Sequence, residues 1–176
     1  MGGTYAISGS LSSITPSSSG YPFTTQVSST NPWSQYSMGA RIQFMVSGQV
    51  VALGVQNRYE GNISIFPDAS NTAAAGPVSV AGNGSTSTTR NYRYTTLSSP
   101  LSVSANSIYR IGFTNNENYY SYHNISSYDG TTTSSGNIKI LSGAYLYVGN
   151  HTIPQRPTTL NTSYNYGSTD LIFLPD

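Results

Sequence analysis

Read as hydrophobic and polar positions, the chain is a series of short period-two segments separated by turn residues. The clearest runs from Pro100 to Phe113. Leu101 and Val103 alternate with Ser102 and Ser104, Ala105-Asn106-Ser107 interrupts, and Tyr109, Ile111 and Phe113 then alternate with Arg110 and Gly112. Alternation with period two gives a strand one dry and one wet face. Asn tolerates left-handed backbone angles and its side chain can cap its own turn, so Ala105–Ser107 predicts a tight turn. The two flanking strands are expected at the centre of a β-sandwich.

The same pattern extends in both directions. Ile42, Phe44 and Val46 predict one buried face, and Ser47-Gly48 then signals a turn. Val50 to Val55 is apolar on both faces, as a central strand would be, and the two segments together predict a hairpin. Further strands are expected at Gly61–Phe66, closed by Pro67, at Pro77–Ala81, and at Thr88–Leu97, where Tyr92 and Tyr94 flank Arg93. Asn137–Leu141, Ala144–Val148 and Asp170–Leu174 complete the set, and Asn150–Tyr164, with Pro154 and Pro157, predicts an irregular crossing. Residues 115–133 differ in being rich in tyrosine and asparagine and poor in aliphatics, which predicts a long excursion with one strand near Tyr119–Ile125. About ten short strands with regular turn signals and no helical periodicity predict an all-β, antiparallel, jelly-roll-like sandwich. Residues 1–25, rich in Ser, Thr and Gly, predict an arm or stalk junction, and residues 26–176 the sandwich domain.

Composition narrows the function classes. Only 7% of the 176 residues are charged, the net charge is +1, and Lys139 is the single lysine. Nothing here resembles the basic stripe that neutralises phosphates, so no nucleic-acid partner is expected. The longest apolar run, within Gln49–Val55, is far below the roughly twenty residues that span a bilayer, and no membrane insertion is expected. There are no cysteines, which excludes disulfides and thiol catalysis. Met1-Gly2-Gly3 is not followed by a basic and then an apolar stretch, so a targeting signal is expected elsewhere in a longer chain.

Four stretches together resemble a bacterial extracellular jelly-roll module that carries no assigned function and occurs in large surface or secreted multidomain proteins. They are Gly39-Ala40-Arg41-Ile42-Gln43-Phe44; Gly48 to Leu53; Pro100 to Phe113; and a closing set of Ala144-Tyr145-Leu146-Tyr147, Pro154, Tyr164-Asn165-Tyr166 and Asp170-Leu171-Ile172-Phe173. Gly167-Ser168-Thr169 stands where that family tends to place a tryptophan after Asn-Tyr, and the tyrosine-rich excursion departs from its pattern. The resemblance implies a sandwich fold and an extracellular or cell-surface setting. It implies no catalytic site.

Candidate chemistry points the same way. His123 and His151 are far apart, and Asp129-Gly130 resembles a turn more than a calcium loop. Six acids in weakly specified loops offer poor material for the facing carboxylates of a glycosidase. Neither an enzyme nor a bound cofactor is expected. The surplus is tyrosine, fifteen in all. A tyrosine offers a rigid apolar face and a hydroxyl at low entropic cost, suited to stacking on sugar rings. Trp33, Tyr36, Tyr119, Tyr120, Tyr122, His123, Asp129 and Tyr166 are therefore the expected ligand surface. They predict a non-catalytic recognition head of an adhesin or fibre protein that binds cell-surface glycan, its weak sites gaining by avidity in a homotrimer. The alternative is a structural or oligomerisation module with no small ligand, its tyrosines packed on the sheet or between chains.

Overall fold

The structure is a computed structural model that describes residues 27–30, 36–82, 84, 92–115, 119–124, 136–149, 152–166 and 169–176. Twelve strands occur among them and no helix: β1 (Val27–Thr30), β2 (Tyr36–Phe44), β3 (Gly48–Val55), β4 (Gly61–Pro67), β5 (Ala75–Val80), β6 (Arg93–Val103), β7 (Ile108–Asn115), β8 (Tyr119–Asn124), β9 (Ile138–Tyr147), β10 (Thr159–Asn161), β11 (Tyr164–Tyr166) and β12 (Thr169–Pro175). Nine form two antiparallel sheets, one of six strands in the order β10-β9-β2-β7-β4-β5 and one of three in the order β12-β3-β6. The predicted β-sandwich is the observed fold. The other three strands make a small sheet in the order β1-β8-β11.

The core lies between the two large sheets. Phe44, Phe113, Leu53, Ile63, Ile65, Ile111, Ile140, Val50 and Val55 are its largest fully buried side chains. The two-sided apolar run at Val50–Val55 is explained by its place: β3 is the middle strand of the smaller sheet, covered on both faces. Pro100 sits within β6, which ends that sheet; an edge strand tolerates the missing N–H.

The predicted hairpin at Ser47-Gly48 does not form. Instead β2 lies in the larger sheet and β3 in the smaller, so the turn carries the chain from one sheet to the other. The link between β6 and β7 makes the same crossing in the opposite direction. The two connections run side by side, because β2 pairs with β7 and β3 with β6. The Phe44 N–H donates to Ser107 O at 3.0 Å, and the Asn106 N–H donates to Phe44 O at 2.7 Å. Asn106 has a φ of 64°, the left-handed conformation expected of that turn. At this corner Val46 leaves the core face assigned to it and is 36% exposed. Two pairs of predicted segments fuse into the single long strands β6 and β9. Each carries a register shift against its neighbour, and the sequence shows each as an interruption.

The predicted wet face of β7 is covered. Arg110 and Thr114 are buried, as is Ser37 on β2. The cover is the irregular segment 152–158, a strap across the outer side of the larger sheet. Its carbonyls meet polar side chains of the sheet one by one. Thr114 Oγ1 and Asn62 Nδ2 donate to Thr152 O at 2.7 and 3.1 Å, and Ser37 Oγ donates to Gln155 O at 2.6 Å. Arg110 Nη1 donates to Pro157 O at 2.7 Å and to Thr158 O at 3.2 Å. Backbone that forms no ladder needs such partners when buried. Gly112 lies under the strap with no room for a side chain. A Cβ there would stand 2.6 Å from Ser37 Oγ and 2.9 Å from Gln155 O. Gly112→Ala is therefore expected to lift the strap and to cost about 1–3 kcal/mol, read as a lower urea midpoint.

Candidate functional site

Two polar constellations stand out. The first ties the strap to the sheet through charge. Asp68 follows β4 and faces Arg41 and Arg110, which are opposite one another on β2 and β7. Arg41 donates through Nε to Oδ1 at 2.9 Å and through Nη2 to Oδ2 at 2.8 Å, a bidentate pair. Arg110 Nε donates to Oδ1 at 2.6 Å. Arg156 of the strap adds a bond from Nη1 to Asp68 O at 2.6 Å and one from Nε to Asn71 Oδ1 at 2.8 Å. The Arg41 hydrogen bonds hold the Asp68 carboxyl well below the usual carboxylate range; partial burial opposes them, while the hydrogen bond and charge of Arg110 add to them. The same Asp68 contact raises Arg41 above its ordinary value. Asp68 opens a loop of mostly small residues, where no sequence motif marks it.

The second constellation is aromatic. On β2 and β9, Tyr36 is opposite Tyr147 and Met38 is opposite Tyr145, which puts three tyrosines on one face. Tyr36 packs edge-to-face on Tyr147, with ring centres 5.7 Å apart, and on Tyr145 at 6.1 Å. Tyr166 of β11 packs on Tyr145 at 5.1 Å, so this face receives the small sheet. Asn161 Nδ2 donates to Tyr166 Oη at 3.2 Å and fixes its ring from β10. Tyr36, Tyr145 and Tyr166 are partly buried, whereas Tyr147 is 61% exposed.

Of the expected ligand residues, the structure thus joins Tyr36 and Tyr166 through Tyr145. In backbone terms it also brings β8 beside them: Tyr122 is opposite Tyr166, His123 is opposite Asn165, and Tyr120 is opposite Ser29 of β1. Tyr119 pairs with Thr30 at the far end of that ladder. Trp33 and Asp129 lie outside the described residues. Tyr145 and Tyr147 are not among the expected ligand residues. The alternation of tyrosines at 145 and 147 was visible, but not the register that sets them against Tyr36.

Elsewhere the chemistry is sparser. Asp170 is buried on β12, accepting from Tyr94 Oη at 2.6 Å and from the Leu171 N–H at 2.7 Å. Among the described residues no group of three or more His, Asp or Glu is placed to hold a metal ion. A cleft of about 270 Å³ opens between β5 and β6, lined by small and aliphatic residues from Ala74–Val78 and Leu97–Ser99. None of these side chains is ionisable. No known family model matches the chain, and no curated protein is recognisably similar to it.

Proposed function

We propose that the chain is the non-catalytic recognition head of an extracellular adhesin or fibre protein, and that it binds cell-surface carbohydrate at its tyrosine-bearing end. The observation that carries this reading is Tyr147, exposed over most of its surface yet propped edge-to-face by Tyr36. A ring held this way is pre-ordered, so a sugar face can stack on it without the protein losing further rotamer freedom. Tyr36, Tyr145 and Tyr166 act as its support, and the backbone of β8, which carries Tyr120, Tyr122 and His123, runs beside β11. Each site would be shallow and weak, and presentation on a trimeric surface fibre supplies avidity.

A glycan array with wild type and Tyr147→Ala tests the reading. Selective binding is expected for wild type and its loss for the variant, with thermal stability changed by no more than about 0.5 kcal/mol, as for other exposed positions. Binding that survives in Tyr147→Ala overturns this assignment of the ligand surface.

One observation favours the second reading, an oligomerisation module without a small ligand. Leu160 is 44% exposed on β10, the edge strand beside β9. An open edge with apolar side chains is a ready docking surface for another copy. Light scattering decides between the two: a Tyr147→Ala variant that falls apart from trimer to monomer supports assembly over recognition.

A further inference from the structure

The arginine cluster is out of electrical balance. Three of the seven basic residues of the chain, Arg41, Arg110 and Arg156, gather around one carboxylate. Asp68 Oδ1 already accepts two hydrogen bonds and Oδ2 one, so the acid is fully used by Arg41 and Arg110. Arg156 is met only by a carbonyl and an amide oxygen. No other carboxylate among the described residues forms an ion pair with the three. Asp170 belongs to the smaller sheet, and Glu60 precedes β4 at the end away from Asp68, roughly 20 Å along the strand. Among the described residues two positive charges are left over, in a chain of which only 7% is charged and whose net charge is +1.

The surplus also reaches water. The Arg41 and Asp68 side chains are 25% and 26% exposed. Arg41 Nη1, Arg110 Nη2 and Arg156 Nη2 have no hydrogen bond to a described residue, and none is a sealed, unpartnered atom. Guanidinium groups fixed by one carboxylate, with donors to spare, are pre-organised for a second anion.

We propose that Arg41, Arg110 and Arg156 form a binding site for an oxyanion, such as the carboxylate or sulfate group of a ligand. The site lies on the strap side of the larger sheet, away from the tyrosine face, and it stands whether or not the protein binds sugar through Tyr147. Arg156 is the outermost of the three and the one least engaged by Asp68. It therefore takes the largest share of the incoming charge.

The test is titration of the whole chain with sodium sulfate and, separately, with sodium glucuronate. Ionic strength is held constant with sodium chloride, and the arginine Nε–H resonances are followed by NMR. Saturable shifts of Arg41 and Arg110 are expected in the millimolar range. Arg156→Gln should weaken the affinity about tenfold, the loss expected for one charge-assisted hydrogen bond. Arg93→Gln, which removes the same charge from an exposed position on β6, should leave it unchanged. A response to glucuronate alone identifies a planar carboxylate site, and a response to sulfate alone a tetrahedral one. Shifts that fail to saturate, or that fall equally in Arg156→Gln and Arg93→Gln, overturn the proposal and leave the three arginines as a clamp for the strap.

Discussion

Asp68→Ala is expected to destabilise the protein by about 2–4 kcal/mol, a large part of the total for a domain of this kind. The reason is what the substitution leaves behind. Arg110 has a side chain only 11% exposed, and among the described residues Asp68 is its only counter-charge. Removing the acid strands a nearly buried guanidinium beside a second one on the neighbouring strand, where they repel. The upper end of the range for a buried pair is reduced because Asp68 and Arg41 remain partly solvated. Asp68→Asn keeps an acceptor and should lose less. The same contact makes the fold acid-sensitive. The folded-state carboxyl is held well below its ordinary value, so its contribution is complete above about pH 4. As pH falls below that, the unfolded chain binds the proton first and the stability drains away. Urea midpoints between pH 7 and pH 2.5 should therefore fall for wild type and fall less steeply for Asp68→Asn.

Phe113→Ala carries the largest expected loss, about 3–5 kcal/mol. Phe113 is wholly buried, and β7 places it between Met38 and Ile63, its partners on the two adjacent strands. Its ring also occupies the space over Gly61, where a Cβ would come within 2.6 Å of it. Because Gly61 offers only backbone and Ile63 is β-branched and stiff, the hole can collapse only in part. Urea denaturation should show a lower midpoint at an unchanged slope, since the surface exposed on unfolding is nearly the same.

Much of the sandwich was legible because its strands are written in local patterns. The alternation at Leu101–Phe113, the two-sided run at Val50–Val55 and the Asn106 turn all describe backbone that behaves as its own residues dictate. What was illegible is set by partners distant in sequence. Ser47-Gly48 signals a change of direction equally well for a hairpin and for a passage between sheets, and only the pairing of β2 with β7 decides. Arg110 and Thr114 are polar residues on an alternating strand and so read as solvated. Nothing within β7 announces that a segment some forty residues later will cover them. The candidate sites divide in the same way. Tyr36 and Tyr166 are among the expected ligand residues, but Tyr145, which joins them, is not. The Asp68 cluster draws its members from four separate stretches, and no spacing rule connects them.

The strap has a consequence for where this protein is free to change. Every bond that holds it through Thr152, Gln155, Pro157 and Thr158 uses a carbonyl oxygen, which any amino acid would supply. The side chains of Thr152, Gln155 and Thr158 point away into solvent, while Pro154 and Pro157 are buried. Those bonds are encoded on the sheet, by Ser37, Asn62, Arg110 and Thr114, and Arg156 is the strap side chain that adds bonds of its own. At Thr152, Gln155 and Thr158 the strap is an anchored ribbon with interchangeable labels. It is a natural place to mount a fluorophore or an affinity tag on the outer surface, on the opposite side of the sheet from Tyr147.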